Sequence, residues 1–196
     1  MTLIGVVRHG ITDWNVAGRA QGSSDIPLNE QGLVDAAKLA ARLKEEDWDV
    51  IYSSDLKRAR QTANVIAEQI GAKVIEDTRI REASGGLIEG TTKAERIEKW
   101  GENWRQMDLG IESYDSVVKR GMEFLQEIVG KHPDENVLII SHGSFIRQVL
   151  NALVEDVEEY FHLGNTSLTK LQYLGKDWML ELFNCTEHLE SKDEEN

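Results

Sequence analysis

The sequence predicts an α/β fold: a single layered domain with a mostly parallel central sheet and helices on both faces. Three observations predict it. Short apolar runs alternate with amphipathic segments along most of the chain. Two of those runs stop abruptly in His-Gly, at Arg8-His9-Gly10 and at Ser141-His142-Gly143. The 196 residues suffice for one domain with a sizeable core and are few for two.

The elements follow in order. Residues 3–7 are a continuous apolar run, long enough for a buried strand. The polar stretch to about Asn29 carries Gly18, Gly22, Ser23, Ser24 and Pro27 and reads as a long loop, a feature often functional in compact domains. Over residues 30–46 the period turns helical, with Leu33, Ala36, Ala37, Ala40 and Leu43 on one face. Residues 50–53 form a second strand. Ser54 or Asp55 is the expected cap of the next helix, whose Ala59, Thr62, Ala63, Ile66 and Ile70 share a face. Residues 73–75 read as an edge strand.

Residues 76–112 are the least regular, a loop with one or two short helices lying over something. Ser113 or Ser116 begins a clearer helix, with Val118, Met122, Leu125 and Val129 on one side and Pro133 ending it. Residues 137–140 are a fourth strand, followed by a helix from about Ser144 to Leu153. Two alternating segments, 167–173 and 178–184, flank Gly175-Lys176-Asp177 and predict a terminal hairpin. The domain is read as residues 1–186, and residues 187–196 as an acidic tail expected to be frayed or disordered.

Composition narrows the function. The formal net charge of −13 argues against a broad nucleic-acid surface, which is normally basic. It also repels small anions at long range, so an anion site must concentrate positive charge locally. No apolar run approaches the roughly 20 residues that span a bilayer, and residues 1–8 do not resemble a secretory signal. No membrane partner is expected. Cys185 is the only cysteine, which excludes an internal disulfide and fits a cytoplasmic location.

The chemistry gathers at strand ends. In an open α/β sheet, ligands bind beyond the carboxyl ends of the strands. The residues predicted there are Arg8-His9-Gly10, Ser53-Ser54-Asp55 with Arg58 soon after, and Ser141-His142-Gly143. Two histidines and two arginines converging on one cleft make an anion site, because a guanidinium donates paired, charge-assisted hydrogen bonds to phosphate. The helix starting near Gly143 is expected to add its N-terminal N–H groups. His132, His162 and His188 lack such a setting and are read as surface or structural. The tryptophans are read as packing residues, with Trp14, Trp100 and Trp104 also placed where they could line a pocket. A zinc site would need closely spaced histidines, and neither His-x-His nor His-x-x-x-His occurs; no metal or cofactor is expected.

Five ordered blocks carry a family resemblance. Residues 7–15, Val-Arg-His-Gly-Ile-Thr-Asp-Trp-Asn, resemble the signature Arg-His-Gly-Glu-Thr-x-Trp-Asn of the histidine phosphatase superfamily, also called phosphoglycerate mutase-like. Residues 21–32, beginning Gln21-Gly22 and containing Asp25, Pro27, Leu28 and Gly32, resemble its next segment. Residues 52–63 resemble Ser-x-Leu-x-Arg-Ala-x-Gln-Thr-Ala. Arg81-Glu82, with Gly86, Glu89 and Gly90, is similar to Arg-Glu-x-x-x-Gly-x-x-Glu-Gly, and residues 141–147 complete the set.

The resemblance implies that His9 is transiently phosphorylated. It implies that Arg8, Arg58 and His142 hold the phosphoryl oxygens with Asn15 assisting, and that Gln21, Gly22 and Gly143 lie at the substrate. Glu82 is implied as general acid and base, acting on the leaving alkoxide and then on water. Ile11 departs from the family's Glu or Gln, and Ala83-Ser84-Gly85 departs from the Arg-His-Tyr of cofactor-dependent mutases. The expected activity is a metal-independent phosphatase acting on a small phosphorylated metabolite. A phosphoglycerate mutase and a silent phospho-ligand binding module are the alternatives. Substrate and oligomeric state stay open.

Overall fold

A computed structural model describes residues 1–154 and 161–190. The chain runs β1 (Thr2–Arg8), α1 (Asp13–Val16), α2 (Glu30–Leu43), β2 (Val50–Ser53), α3 (Lys57–Ile70), β3 (Val74–Glu76), α4 (Lys93–Trp100), α5 (Tyr114–Lys131), β4 (Asn136–Ser141), α6 (Gly143–Leu153), β5 (Leu168–Tyr173) and β6 (Trp178–Cys185). Short 3₁₀ turns occupy Thr78–Ile80, Gly86–Ile88, Trp104–Gln106 and Glu187–Leu189.

The six strands form one sheet in the order β3-β2-β4-β1-β5-β6. The first four are parallel, and β5 and β6 are antiparallel. The apolar runs predicted as strands are the central ones, buried on both faces as parallel strands are. β1 pairs β4 with Arg8 level with Ser141, so both His-Gly corners leave the sheet side by side. The two faces carry separate cores. One joins Ile4, Val6, Tyr52, Val137 and Ile139 to α5 and α6 through Phe124, Ile128, Ile146 and Val149. The other joins Val7, Ile51, Leu138 and Ile140 to α2 and α3 through Leu39, Leu43, Ala63 and Ile66. Each fully buried Ile or Leu here contributes roughly 1.5–3 kcal/mol.

Several details differ from the sequence reading. The long loop contains α1, a four-residue helix held by a capping box between Thr12 and Asn15. The buried face of α2 uses Leu39 in place of Leu33, which is 42% exposed. Neither Ser54 nor Asp55 caps α3. Asp25, 32 residues earlier, accepts the Lys57 N–H instead (2.6 Å), while Asp55 pairs with Arg81. The buried stripe of α5 is Val117, Gly121, Phe124, Leu125 and Ile128, so only Leu125 of the expected side is fully inside. A Cβ on Gly121 would stand 2.5 Å from Val149 Cγ2, and that close approach to α6 sets the rotation of α5. At the C-terminus the 3₁₀ turn Glu187–Leu189 packs on α2, and His188 Nε2 lies 3.2 Å from Thr166 Oγ1. Those three residues are therefore fixed rather than frayed; positions 191–196 lie outside the described residues.

Candidate active site

The site is built where β1, β2 and β4 end. His9, Ser54, Arg58 and His142 are each at most 2% exposed, an unusual density of buried polar groups. Each is held by a specific partner. His9 Nδ1 is 2.7 Å from the Gly10 carbonyl oxygen. A carbonyl only accepts, so Nδ1 carries the proton and Nε2 keeps its lone pair. The His9 and His142 rings lie with centroids 5.2 Å apart.

His142 is wired differently. Its Nδ1 accepts from Arg58 Nε (3.1 Å), so the ring proton resides on Nε2, which donates to Ser54 Oγ (2.8 Å). Burial, followed by the charges of Arg58 and Arg8, holds His9 well below the ordinary imidazole range. Burial and then Arg58 do the same for His142. Both rings are neutral near pH 7.

Arg58 is fully buried on the first turn of α3. Its Nη1 donates to the Ser24 carbonyl (2.7 Å) and its Nη2 to the Gly22 carbonyl (2.8 Å). Burial lowers its pKa to about 10, against the pull of Glu82, so it stays charged. Gly22 sits at φ +49°, and a Cβ there would meet a Glu89 carboxylate oxygen at 2.2 Å. That carboxylate accepts from Ser23 N, Gly85 N and Ser24 Oγ, which fixes the loop carrying both carbonyls.

Arg8 donates through Nη1 to the Leu163 carbonyl, while its buried Nε has no hydrogen-bond partner among the described residues. Gly143 leaves room for it, since a Cβ would come within 3.1 Å of that Nε. Burial lowers the Arg8 pKa and Glu82 opposes the shift.

Glu82 faces the start of α6. Its carboxylate accepts from Ala83 N (2.9 Å), Ser144 N (3.1 Å) and Phe145 N (2.8 Å). The Ser144 and Phe145 N–H groups of α6 are thus spent on Glu82, a correction to the expectation that the N-terminal N–H groups of this helix all serve the anion site directly. Asn15 and Gln21 both engage Thr12: Asn15 Oδ1 accepts its N–H (3.1 Å), and Gln21 Oε1 accepts from its Oγ1 (3.1 Å).

A pocket of ≈ 180 Å³ opens beside this cluster, lined by Arg8, Glu82, Gly143, Ser144, Arg147, Phe161, His162 and Leu163. His162, read from sequence as surface or structural, belongs to this wall. Trp104 is buried with Ile88 and Leu109 against Trp100, and Trp14 abuts Gly90, so the three tryptophans pack the irregular segment onto the loop. Asn165 was not visible in the sequence as a site residue. Its Nδ2 donates to the His9 carbonyl (3.0 Å) and to Asn15 Oδ1 (3.3 Å), fixing the β1 corner. The polar run Asn165-Thr166-Ser167 before an apolar strand was the available signal. Among the described residues, no group of three or more His, Cys, Asp or Glu is arranged to hold a metal ion. No helix among them is long and apolar enough to cross a membrane.

Comparison with known proteins places this arrangement. The family description "Histidine phosphatase superfamily (branch 1)" matches residues 4–186. The metal-independent phosphoserine phosphatase of Arabidopsis thaliana is 36% identical over 97% of this chain and 84% of its own. A probable phosphoglycerate mutase GpmB of Yersinia pestis is 32% identical over 97% of this chain and 96% of its own. The solved phosphoserine phosphatase of Entamoeba histolytica, in complex with 3-phosphoglyceric acid, superposes with a TM-score of 0.83 at 31% identity. That match covers 97% of this chain and 100% of the other.

Proposed function

The chain belongs to the histidine phosphatase superfamily and is a phosphatase, and we propose that it hydrolyses small phosphomonoesters through a phosphohistidine at His9. One observation carries this reading: the buried, neutral His9 has Nδ1 occupied by the Gly10 carbonyl and Nε2 without a partner among the described residues, beside two arginines.

Nε2 attacks phosphorus, the N–P bond forms and the ester P–O bond breaks. Glu82, on the wall of the pocket beside the histidine cluster, protonates the leaving alkoxide. It then takes a proton from the water that cleaves the N–P bond, returning His9 to its neutral state. The charge that develops on the phosphoryl oxygens is met by Arg58, by the unpartnered Nε of Arg8 and by the Nε2–H of His142. No metal is needed in this scheme, because two guanidinium groups supply the positive charge. Asn15, Gln21, Gly22 and Gly143 shape the loop and corner around the phosphoryl group.

The same reading favours hydrolysis over mutase chemistry. A mutase must grip a second phosphate. Three basic residues of the irregular segment are engaged elsewhere: Arg96 and Arg105 stack on Trp104, and Lys99 lies over Trp100. A cytoplasmic location belongs to the proposal and rests on the single cysteine, Cys185.

The test is turnover of p-nitrophenyl phosphate in EDTA, with base-quenched samples examined by mass for phosphohistidine. Wild-type turnover, absent in His9→Ala, is the expected result. Activity that EDTA abolishes and added metal restores would remove the scheme. A long-lived phosphoenzyme with slow release to water would favour the mutase.

A further inference from the structure

Glu82 sits in a strip of chain that neither a helix nor a strand supports. Residues 81–85 run between the 3₁₀ turns Thr78–Ile80 and Gly86–Ile88, so no helical ladder or sheet register fixes their backbone. Yet the Glu82 carboxylate accepts from Ser144 N and Phe145 N, which demands a definite position. Two residues that do not line the pocket supply it: Arg120 on α5, and Glu112 just ahead of that helix.

Arg120 Nε donates to Glu112 Oε1 and Nη2 to Glu112 Oε2, each at 2.9 Å, a bidentate pair largely withdrawn from water. Arg120 Nη1 donates to the carbonyls of Arg79 (2.6 Å) and Arg81 (2.7 Å). Its guanidinium carbon lies 5.0 Å from the centre of the Phe145 ring. Glu112 N donates to the Ser84 carbonyl (2.9 Å), and the Glu112 carboxylate accepts from Ser84 N (3.2 Å). Burial opposes charge on the Glu112 carboxyl, and the hydrogen bonds from Arg120 and Ser116 outweigh it, so the group is held below the ordinary carboxylate range. The pair is ionised near neutral pH.

The strip is therefore gripped on both sides of Glu82, at Arg81 and at Ser84. The same guanidinium touches Phe145, whose N–H receives the Glu82 carboxylate. We infer that Arg120, clamped by Glu112, is a positioning residue for the general acid, setting where Glu82 stands against the leaving oxygen; this rests on the phosphatase reading above. A guanidinium suits the task because its planar fork serves a carboxylate and two carbonyls at once, which a compact ammonium does not.

Positioning leaves a signature that bracing of the fold does not. A readily departing group needs little protonation, so a displaced general acid slows alkyl esters more than aryl esters. Arg120→Met keeps the apolar stem and removes the fork. It should lower kcat/KM for phosphoserine, an alkyl ester, by about 10- to 100-fold, and for p-nitrophenyl phosphate by about 3-fold or less. Glu112→Gln should give the same pattern at smaller size, and Glu82→Gln at larger size. Equal losses on the two esters in Arg120→Met, with Glu82→Gln selective, would overturn the inference and leave the phosphatase reading standing. Equal losses in Glu82→Gln would remove the acid role and the inference with it.

Hydrogen exchange decides even if neither ester is turned over, the outcome that counts against the phosphatase reading. The Ser144 and Phe145 amides should exchange about 10-fold faster or more in Arg120→Met, while those of Val149 and Leu150 on the same helix keep their rates. Unchanged protection at Ser144 and Phe145, or equal acceleration at all four amides, rejects the positioning role.

Discussion

The two His-Gly corners are the instructive contrast in this molecule. β1 and β4 are parallel neighbours in register, and each ends in the same dipeptide. Yet His9 uses one ring nitrogen on its own neighbour's carbonyl, and the other has no hydrogen-bond partner among the described residues. His142 has both nitrogens engaged, one accepting from Arg58 and one donating to Ser54. The same dipeptide therefore yields, at one corner, a histidine that the proposed scheme uses as nucleophile and, at the other, a fixed hydrogen-bond donor. The partners of His142 make the difference, and they come from 84 and 88 residues away in the chain.

Replacing each histidine by asparagine is the most forceful way to break that contrast. His9→Asn should lose turnover by about 10⁴-fold or more and form no phosphoenzyme, because the attacking lone pair is gone. His142→Asn should lose about 10²–10³-fold, the usual effect of removing one donor to transition-state charge. It should still form phosphohistidine when mixed with substrate and quenched in base. A phosphoenzyme in His9→Asn that vanishes in His142→Asn would reverse the two roles.

Much of this arrangement could be read from the chain, and the unread parts share a cause. The central strands were legible because a parallel strand buried on both faces is a continuous apolar run, as at residues 137–140. The residues that gather at the candidate site were legible because strand ends are marked by Arg8-His9-Gly10 and Ser141-His142-Gly143, and the roles proposed for them rest on the family blocks. Interactions spanning long separations were hidden. Asp25 caps α3 from another loop, and Glu82 takes the Ser144 and Phe145 N–H groups of α6 from 62 and 63 residues away. In α5, adjacent apolar pairs such as Val117-Val118 and Ile128-Val129 offer two possible inner faces. Contact of Gly121 with Val149 chooses between them, and no local pattern reports that.

A second way to sharpen the contrast uses the property the corners share. Both rings are held well below the ordinary imidazole range, chiefly by burial. Below about pH 6.5 the unfolded chain therefore binds protons that the folded protein refuses. Stability should be full above that value and should fall as pH drops, by up to about 1.4 kcal/mol per pH unit for each histidine. His188, held at about 4 by burial, adds to the same trend. Urea midpoints between pH 5 and 7 measure this in a window above the carboxylate titrations. His142→Asn should flatten the slope measurably. Stability that is level or rises toward pH 5 would mean that the rings are not buried as neutral groups.

The smallest expected effect probes why His142 points its proton at Ser54. In the free protein Ser54 Oγ accepts the buried Nε2–H of His142 (2.8 Å) and the N–H of Leu56 (3.3 Å). Ser54→Ala leaves that ring proton without an acceptor, a loss of about 1–2 kcal/mol of stability for a buried donor. The tautomer should survive, because Arg58 Nε–H still occupies Nδ1. A bound phosphoryl oxygen would then satisfy the orphaned proton, so inorganic phosphate should raise the Tm of Ser54→Ala more than that of the wild type. The sign of this difference separates two roles for His142. A larger phosphate shift in the variant means that its Nε2–H meets the phosphoryl group. An equal or smaller shift means that the ring only braces Arg58, and the contribution of the β4 corner is then structural.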